Sequence, residues 1–513
     1  MPNLSTLVII TASALAAVDD DAEKWAEQID QRLAARQESL GIRPAPLVDE
    51  ATYLRRVTLD LIGRIPTVAE TRDYLDDRDC DKARRLVRRL IASPLFARHW
   101  AVVWRRAWIP QADAPQFSFL APEVEPWLTE QLQRRTPHDR IVRQLLEVVP
   151  SETAAATAGR RTPHVFLTAG ELKPENLAAN SARAFLGVNL DCAQCHDHPF
   201  ARWTRDEFWE TAAFFVSPAQ QSGSAKAPEI QIPETERVVA ARLLDGRTIA
   251  WPEQLRPETG RIVFSRWLSA RDNPYFARHA VNTVWVGLFG VGLVEPLDDL
   301  ARDDPAGDPE HLRILADEAV AAQLDLAKLI EACVLTEAYR RDTRGLRTGP
   351  ERSVSPTDER YAFAQMPVRA LDGEQLFDSL RTAAGLPAVR DDLTRHDAES
   401  PRRAFAATFR IDRAETASRS VLQSLALMNG PETSAAVDNS IGPLVVAVTE
   451  GPFTTSAERV DVLFLAAFAR LPSADERDLV LGYLEGAPAG KLRRRVADVF
   501  WALVNTAEFG TNH

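Results

Sequence analysis

Long hydrophobic runs are missing from this sequence. No stretch of about 18 consecutive apolar residues occurs, which excludes an ordinary membrane-spanning helix in the mature chain. A surplus of positive charge is missing too: 61 basic residues stand against 73 acidic ones, for a net charge of −12, so a polyanion such as nucleic acid is not the expected partner. Cysteine is scarce, with 4 in 513 residues, which rules out a disulfide-built scaffold. The familiar catalytic fingerprints are absent as well. There is no G-x-S-x-G, no H-E-x-x-H, no phosphate-binding P-loop and no dinucleotide motif. No nucleophile with a recognisable base can be picked out.

What is present begins with an N-terminus that reads as a signal peptide over residues 1–18. It carries no charged side chain, has an apolar stretch from Leu7 to Ile10, and offers Ala14-Leu15-Ala16 as an A-x-A cleavage site. A basic residue ahead of the apolar core is lacking, and the terminal amine is the positive charge there. The expected location is periplasmic or otherwise extracytoplasmic.

Apolar residues then recur at helical spacing through most of the chain. "AEKWAEQIDQRLAARQESLG" closes on Gly41. "ATYLRRVTLDLIGRIPT" breaks at Pro66 and leads into a capping box, Thr67 to Glu70. A second box, Thr204 to Glu207, opens "EFWETAAFFV". The tryptophans of "HWAVVWRRAW" read as core. Residues 217–258 differ. They comprise a linker followed by "EIQIP" and "RVVAARLLDGRTIAWP", which read as short strands with Asp245-Gly246 as the hairpin turn. The fold class expected is mainly α: two helical domains with a small β-hairpin insertion between them, at 19–216, 217–258 and 259–513. One internal echo, "VTLDLIGRIPTVAETRDYL" against "LFLAAFARLPSADERDLVLGYL", reads as a recurring helical hairpin.

The chemically distinctive stretch is "DCAQCHDHPFARW". Cys192, Cys195 and His196 satisfy C-x-x-C-H, the attachment pattern of c-type haem, in which two thiols bond the porphyrin and the adjacent imidazole binds iron. The internal methionines, Met366 and Met428, do not supply a recognisable sixth ligand, and Met428 reads as capping a core. Two alternatives stay open. Cys192, Cys195, His196 and His198 form a donor set for zinc or another transition metal, with His198-Pro199 in extended backbone. A Cys192–Cys195 disulfide in a redox loop is the other. Cys333, in an apolar helix, reads as a buried small hydrophobe, and Cys80 lies in a polar loop.

Other constellations have plainer readings. Glu295, Asp298, Asp299, Asp303 and Asp304 form an acidic loop with the composition of an acid–base or Ca²⁺ site, but more simply a solvated one. Arg278, Asn282 and Trp285 share a helix face, either a ligand groove or a buried contact. Arg56 and Asp60 read as an i, i+4 ion pair beside Arg55, and His99 and His279 as core histidines.

"ATYLRRVTLDLIGRIPT", "SPLFARHW" and "FLGVNLDCAQCHDHPFARWTRDEFWETAAFF" resemble the planctomycete cytochrome-associated (PSCyt-type) domain of unknown function. "SRWLSARDNPYFARHAVNTVWVGLFGVGLVEPLDDL", "LIEACVLTEAYR" and "MPVRALDGEQLFDSL" resemble the PSD-type domain that usually follows it. The resemblance implies an exported, mostly helical protein of bacteria rich in sulfatases and glycan-degrading enzymes. Its implied partners are other exported redox or glycan-degradation proteins. It implies no activity. The leading expectation is a redox protein with haem c at Cys192, Cys195 and His196. The rival is a metal-binding, glycan-binding or surface-associated protein in which the cysteine loop is structural.

Overall fold

The computed structural model describes residues 21–149, 164–199, 201–216, 227–301, 306–344, 359–388, 400–410, 419–452, 455–486, 488 and 490–513. The signal-like segment, the Ser151–Thr162 loop, and Asp303 and Asp304 lie outside them. The expected mainly helical class is what the chain adopts, with three two-stranded sheets among the described residues.

The first helices are α1 (Asp21–Ser39), α2 (Glu50–Ile62), α3 (Val68–Asp76), α4 (Lys82–Ile91) and α5 (Pro94–Trp108). Asp49 caps α2 through its carboxylate, which accepts from Thr52 N. The helix stops at Gly63, in the left-handed region at φ 73, three residues ahead of the proline expected to break it. The Thr67–Glu70 capping box opens α3 as expected. Trp100, Trp104 and Trp108 of α5 are all buried. Next come α6 (Leu120–Gln133), α7 (His138–Glu147), α8 (Val165–Ala169), α9 (Pro174–Ser181) and α10 (Arg205–Ala212).

The hairpin insertion pairs β1 (Glu229–Gln231) with β2 (Val238–Ala240), Ile230 opposite Val239. Its turn is not Asp245-Gly246. The chain reverses over residues 232–237, where Ile232 N bonds Arg237 O at 2.9 Å. Asp245-Gly246 forms a separate turn, because the Asp245 carboxylate is drawn off to Trp267 Nε1 (2.7 Å) and Arg247 Nε (2.6 Å).

Four helices follow: α11 (Thr259–Leu268), α12 (Phe276–Phe289), α13 (Pro309–Ala321) and α14 (Leu326–Leu335). Between α12 and α13, β3 (Val294–Glu295) pairs with β4 (Ala306–Gly307). All four helices pack into the same apolar core as α1–α10, a cluster reaching from Ile29 to Met366. A second core starts at Leu371. It is built from α15 (Gly373–Ala384), α16 (Pro401–Thr408), α17 (Val421–Asn429), α18 (Pro431–Ala436), α19 (Pro443–Glu450), α20 (Ser456–Phe468), α21 (Ala474–Glu485) and α22 (Leu492–Val504), and β5 (Arg369–Ala370) pairs with β6 (Thr511–Asn512) beside it. Leu59 and Ile65, from the first part of the chain, are also built into it.

A buried polar network ties the two cores together. Asp60 accepts from Arg369 (2.6 Å), Tyr339 Oη (2.6 Å) and Asn512 Nδ2 (2.8 Å), and is 4% exposed. The expected Arg56–Asp60 pair is therefore not the main contact. Arg56 donates instead to the carbonyls of Tyr339, Arg341 and His513, and Arg55 to those of Ala467, Glu508 and Phe509. Charged groups this deep are costly unless partnered, and backbone carbonyls take up most of the donors, although Arg55 Nε and Arg56 Nη2 have no partner among the described residues.

The sequence echo is a geometric one. In each copy a residue in the left-handed region (Gly63, φ 73; Ala469, φ 60) precedes an arginine that grips the capping-box glutamate with two bonds. Arg64–Glu70 and Arg470–Glu476 both measure 2.8 and 2.9 Å.

Candidate functional site

The cysteine stretch joins α9 to α10, and its frame begins before the cysteines. α9 runs on into a π-helical turn over Ala182–Leu186, a form that recurs at functional sites. Gly187 then reverses the chain at φ 59. A Cβ at Gly187 would lie 2.7 Å from His279 Nδ1 and 2.9 Å from Leu297 O, so no other residue fits without movement. Val188 and Leu190 are fully buried and anchor the entry. Asn189 Oδ1 accepts from Asp191 N at 3.1 Å, and Asp191 forms an ion pair with Arg183.

Residues Asp191–Gln194 make one 3₁₀ turn. Only Ala193 faces inward, at 0% exposure. Cys192, Cys195 and His196 are all exposed, and both thiols are free. Cys195 follows directly on the turn as its C-terminal cap, at φ −105 and ψ −35. Several contacts hold the loop. Trp209 Nε1, from α10, donates to Gln194 O at 3.1 Å. Asp197 Oδ1 accepts from Arg205 N at 2.9 Å, and His198 N donates to Trp203 O at 2.8 Å. Trp203 is fully buried beneath the Arg202 guanidinium, 4.6 Å from its ring centre. The Thr204–Glu207 capping box fixes the start of α10.

His196 Nδ1 lies 2.8 Å from Asp197 O. A carbonyl can only accept, so Nδ1 carries a proton, and Nε2 is the nitrogen that remains for another partner. That is how a ligating imidazole is set up. Among the described residues, the group of three or more His, Cys, Asp or Glu whose ligand atoms lie within 4.8 Å of one another is Asp79, Cys80 and Asp81. Cys192, Cys195, His196 and His198 do not form such a group. Zinc at ~2.0–2.3 Å from each ligand needs its donor atoms about 3–4 Å apart. Thiols that bond a porphyrin edge need no such convergence with the imidazole. The residue types and spacing are those of a haem attachment pattern, whereas a tetrahedral ion would need side chains to rotate inward.

The other sequence candidates separate. Glu295 accepts from Tyr361 Oη (3.0 Å) and faces Arg360 (3.6 Å), Asp298 is exposed, and Asp299 is buried. They share a loop without sharing a site. Its Leu300 N bonds Gly187 O at 2.7 Å, so the loop braces the entry to the cysteine turn. Asn282 and Trp285 are fully buried, which removes the ligand-groove reading. Asn282 clamps β3 instead, through Val294 O (2.7 Å) and Val294 N (3.3 Å). His279 is buried with Nε2 on Ala184 O, as a core histidine. Cys333 is buried, and burial pushes its thiol well up. Met366 is buried at 2%, and Met428 is 39% exposed on α17, beside the buried Leu427. Sequence reading missed Trp209 and Arg183 as supports. The Thr204 capping box was the available signal, because it fixes α10 and thereby Trp209.

Residues 28–220 match the family described as PSCyt2, a protein of unknown function (DUF1549), and residues 260–402 match PSD1, a protein of unknown function (DUF1553). No curated protein and no solved structure matches. One family's pattern thus covers the cysteine turn and its supports, and the other's covers α11 to α15, in the order PSCyt2 then PSD1.

Proposed function

We propose that the protein is an extracytoplasmic redox protein whose centre is a c-type haem at Cys192, Cys195 and His196. The observation that carries this reading is a pair of exposed, free thiols in C-x-x-C spacing, followed by an imidazole whose Nδ1 is already engaged. Each thiol S–H would add across one vinyl group, giving a thioether with no change in oxidation state. His196 Nε2 would be the proximal ligand. The bound group would supply one-electron chemistry, and axial ligation and exposure would set its potential. The protein's part is to engage Nδ1, which leaves Nε2 for the ligand, and to hold the turn through Trp209, Arg205 and Asn189. Its placement outside the cytoplasm, with exported redox or glycan-degradation proteins as partners, is part of the same reading.

The test is expression for export in cells carrying cytochrome c maturation machinery, followed by haem staining and a visible spectrum. A coloured chain that stains after denaturation supports the reading. A colourless chain that binds one equivalent of zinc would favour the metal alternative, with His198 joining Cys192, Cys195 and His196. A colourless, metal-free chain that still bound a glycan after Cys195→Ala would favour a structural cysteine loop.

A further inference from the structure

Exposed apolar side chains gather on one face of the second core. Helix α17, "VLQSLALMN", has no charged residue, and Leu427 is its buried side chain. Val421, Leu422, Leu425 and Met428 are 76%, 78%, 50% and 39% exposed. The helix is not loose. Ser420 and Gln423 form a capping box, and Gln423 Nε2 donates to Thr408 O (3.2 Å) and Arg410 O (3.1 Å). Trp501 Nε1 donates to Met428 O at 3.0 Å. Four large apolar side chains of α17 thus face water beside the exposed Ser424 and Asn429, an apolar load that a solvated surface helix does not normally carry.

Beside it runs a groove of about 640 Å³ between α20, α21 and α22. Phe464, Phe468, Leu479, Tyr483 and Leu503 line it, and Trp501, the residue bonded to α17, forms one edge. Leu479 is 76% and Tyr483 43% exposed. One molecule therefore carries an apolar ridge and an apolar groove side by side, joined at Trp501. We propose that this face is a homodimer interface in which α17 of each copy fills the groove of the other. A two-fold contact of this kind is self-complementary and covers both features at once, whereas an unrelated partner would have to bring both a helix and a groove. Six large side chains at these exposures amount to several hundred Å², on the order of the ~800 Å² that each partner gives to a stable interface. The proposal is independent of what the cysteine turn holds.

Sedimentation velocity on the full chain tests it. Wild type is expected as a dimer at micromolar concentration, with Leu422→Glu and Leu479→Glu each monomeric. Both positions are more than three-quarters exposed, so circular dichroism should show both variants folded. An equimolar mixture of the two should associate more than either alone, because one ridge and one groove survive. A monomeric wild type, a dimer that persists in both variants, or a mixture that behaves as its separate parts would each overturn the proposal. So would a monomer that floats with phosphatidylcholine vesicles, which would assign the face to lipid.

Discussion

At the scale of single residues, the group most dependent on its surroundings is Asp60. Its carboxylate meets Arg369, Tyr339 and Asn512 at the seam of the two cores. Asp60→Asn keeps the shape and removes the charge, leaving the Arg369 guanidinium buried without its counter-ion. A loss of about 3–5 kcal/mol is expected from denaturant melts, the usual cost of breaking a buried pair on one side. Three buried histidines set a pH limit. Burial pushes His138 down to about 3, and His279 and His311 down to about 4. The unfolded chain takes up protons at these sites below about pH 6.5, while the folded chain stays neutral until about pH 4. Stability is therefore complete above about 6.5 and falls as pH drops toward 4, by up to ~1.4 kcal/mol per unit for each histidine. The denaturant midpoint at pH 5 should lie clearly below that at pH 7, and equal midpoints would contradict this assignment. Glu70 and Glu476 act lower. Burial opposes ionisation of Glu70, but Arg64 and the Thr67 cap bring it to about 2, and Arg470 brings Glu476 to about 2. Their contribution is present above about pH 4.5 and is lost as pH falls toward 2.

At the scale of elements, the π turn, Gly187 and the 3₁₀ turn act as one device. Gly187→Ala would put a non-glycine residue at φ 59 and a methyl against His279 and Leu297 O. We expect a cost of about 2 kcal/mol or more, with faster labelling of Cys192 and Cys195 by a thiol reagent as the turn loosens. Unchanged stability and labelling would mean that the entry turn is not a support. Much of this was legible in the sequence. The capping boxes at Thr67, Thr204 and Ser473 stand where S/T-x-x-E places them, because that motif satisfies its own N–H groups locally. The C-x-x-C-H stretch was visible as a helix-to-helix joint for the same reason. What failed rested on distant contacts. Asp245 reads as a hairpin turn until Trp267 claims its carboxylate, and Asp60 reads as the partner of Arg56 until Arg369 arrives from 309 residues away.

At the scale of the whole molecule, the two family-sized stretches share their packing. The first core runs through both, and residues 371–509 build a second core on Leu59 and Ile65. The cysteine turn sits on the first core, and the apolar ridge and groove sit on the second. Loading of the turn and self-association are therefore expected to respond separately to variants, with Leu422→Glu leaving the turn's chemistry unchanged. The measurement that bears most directly on the central claim is the intact mass of the exported protein, made with cytochrome maturation machinery, beside that of a Cys192→Ala, Cys195→Ala variant. The account predicts a chain heavier by one haem, with the added mass absent from the variant. A wild-type chain at its bare polypeptide mass, with both thiols free to alkylation, would contradict it.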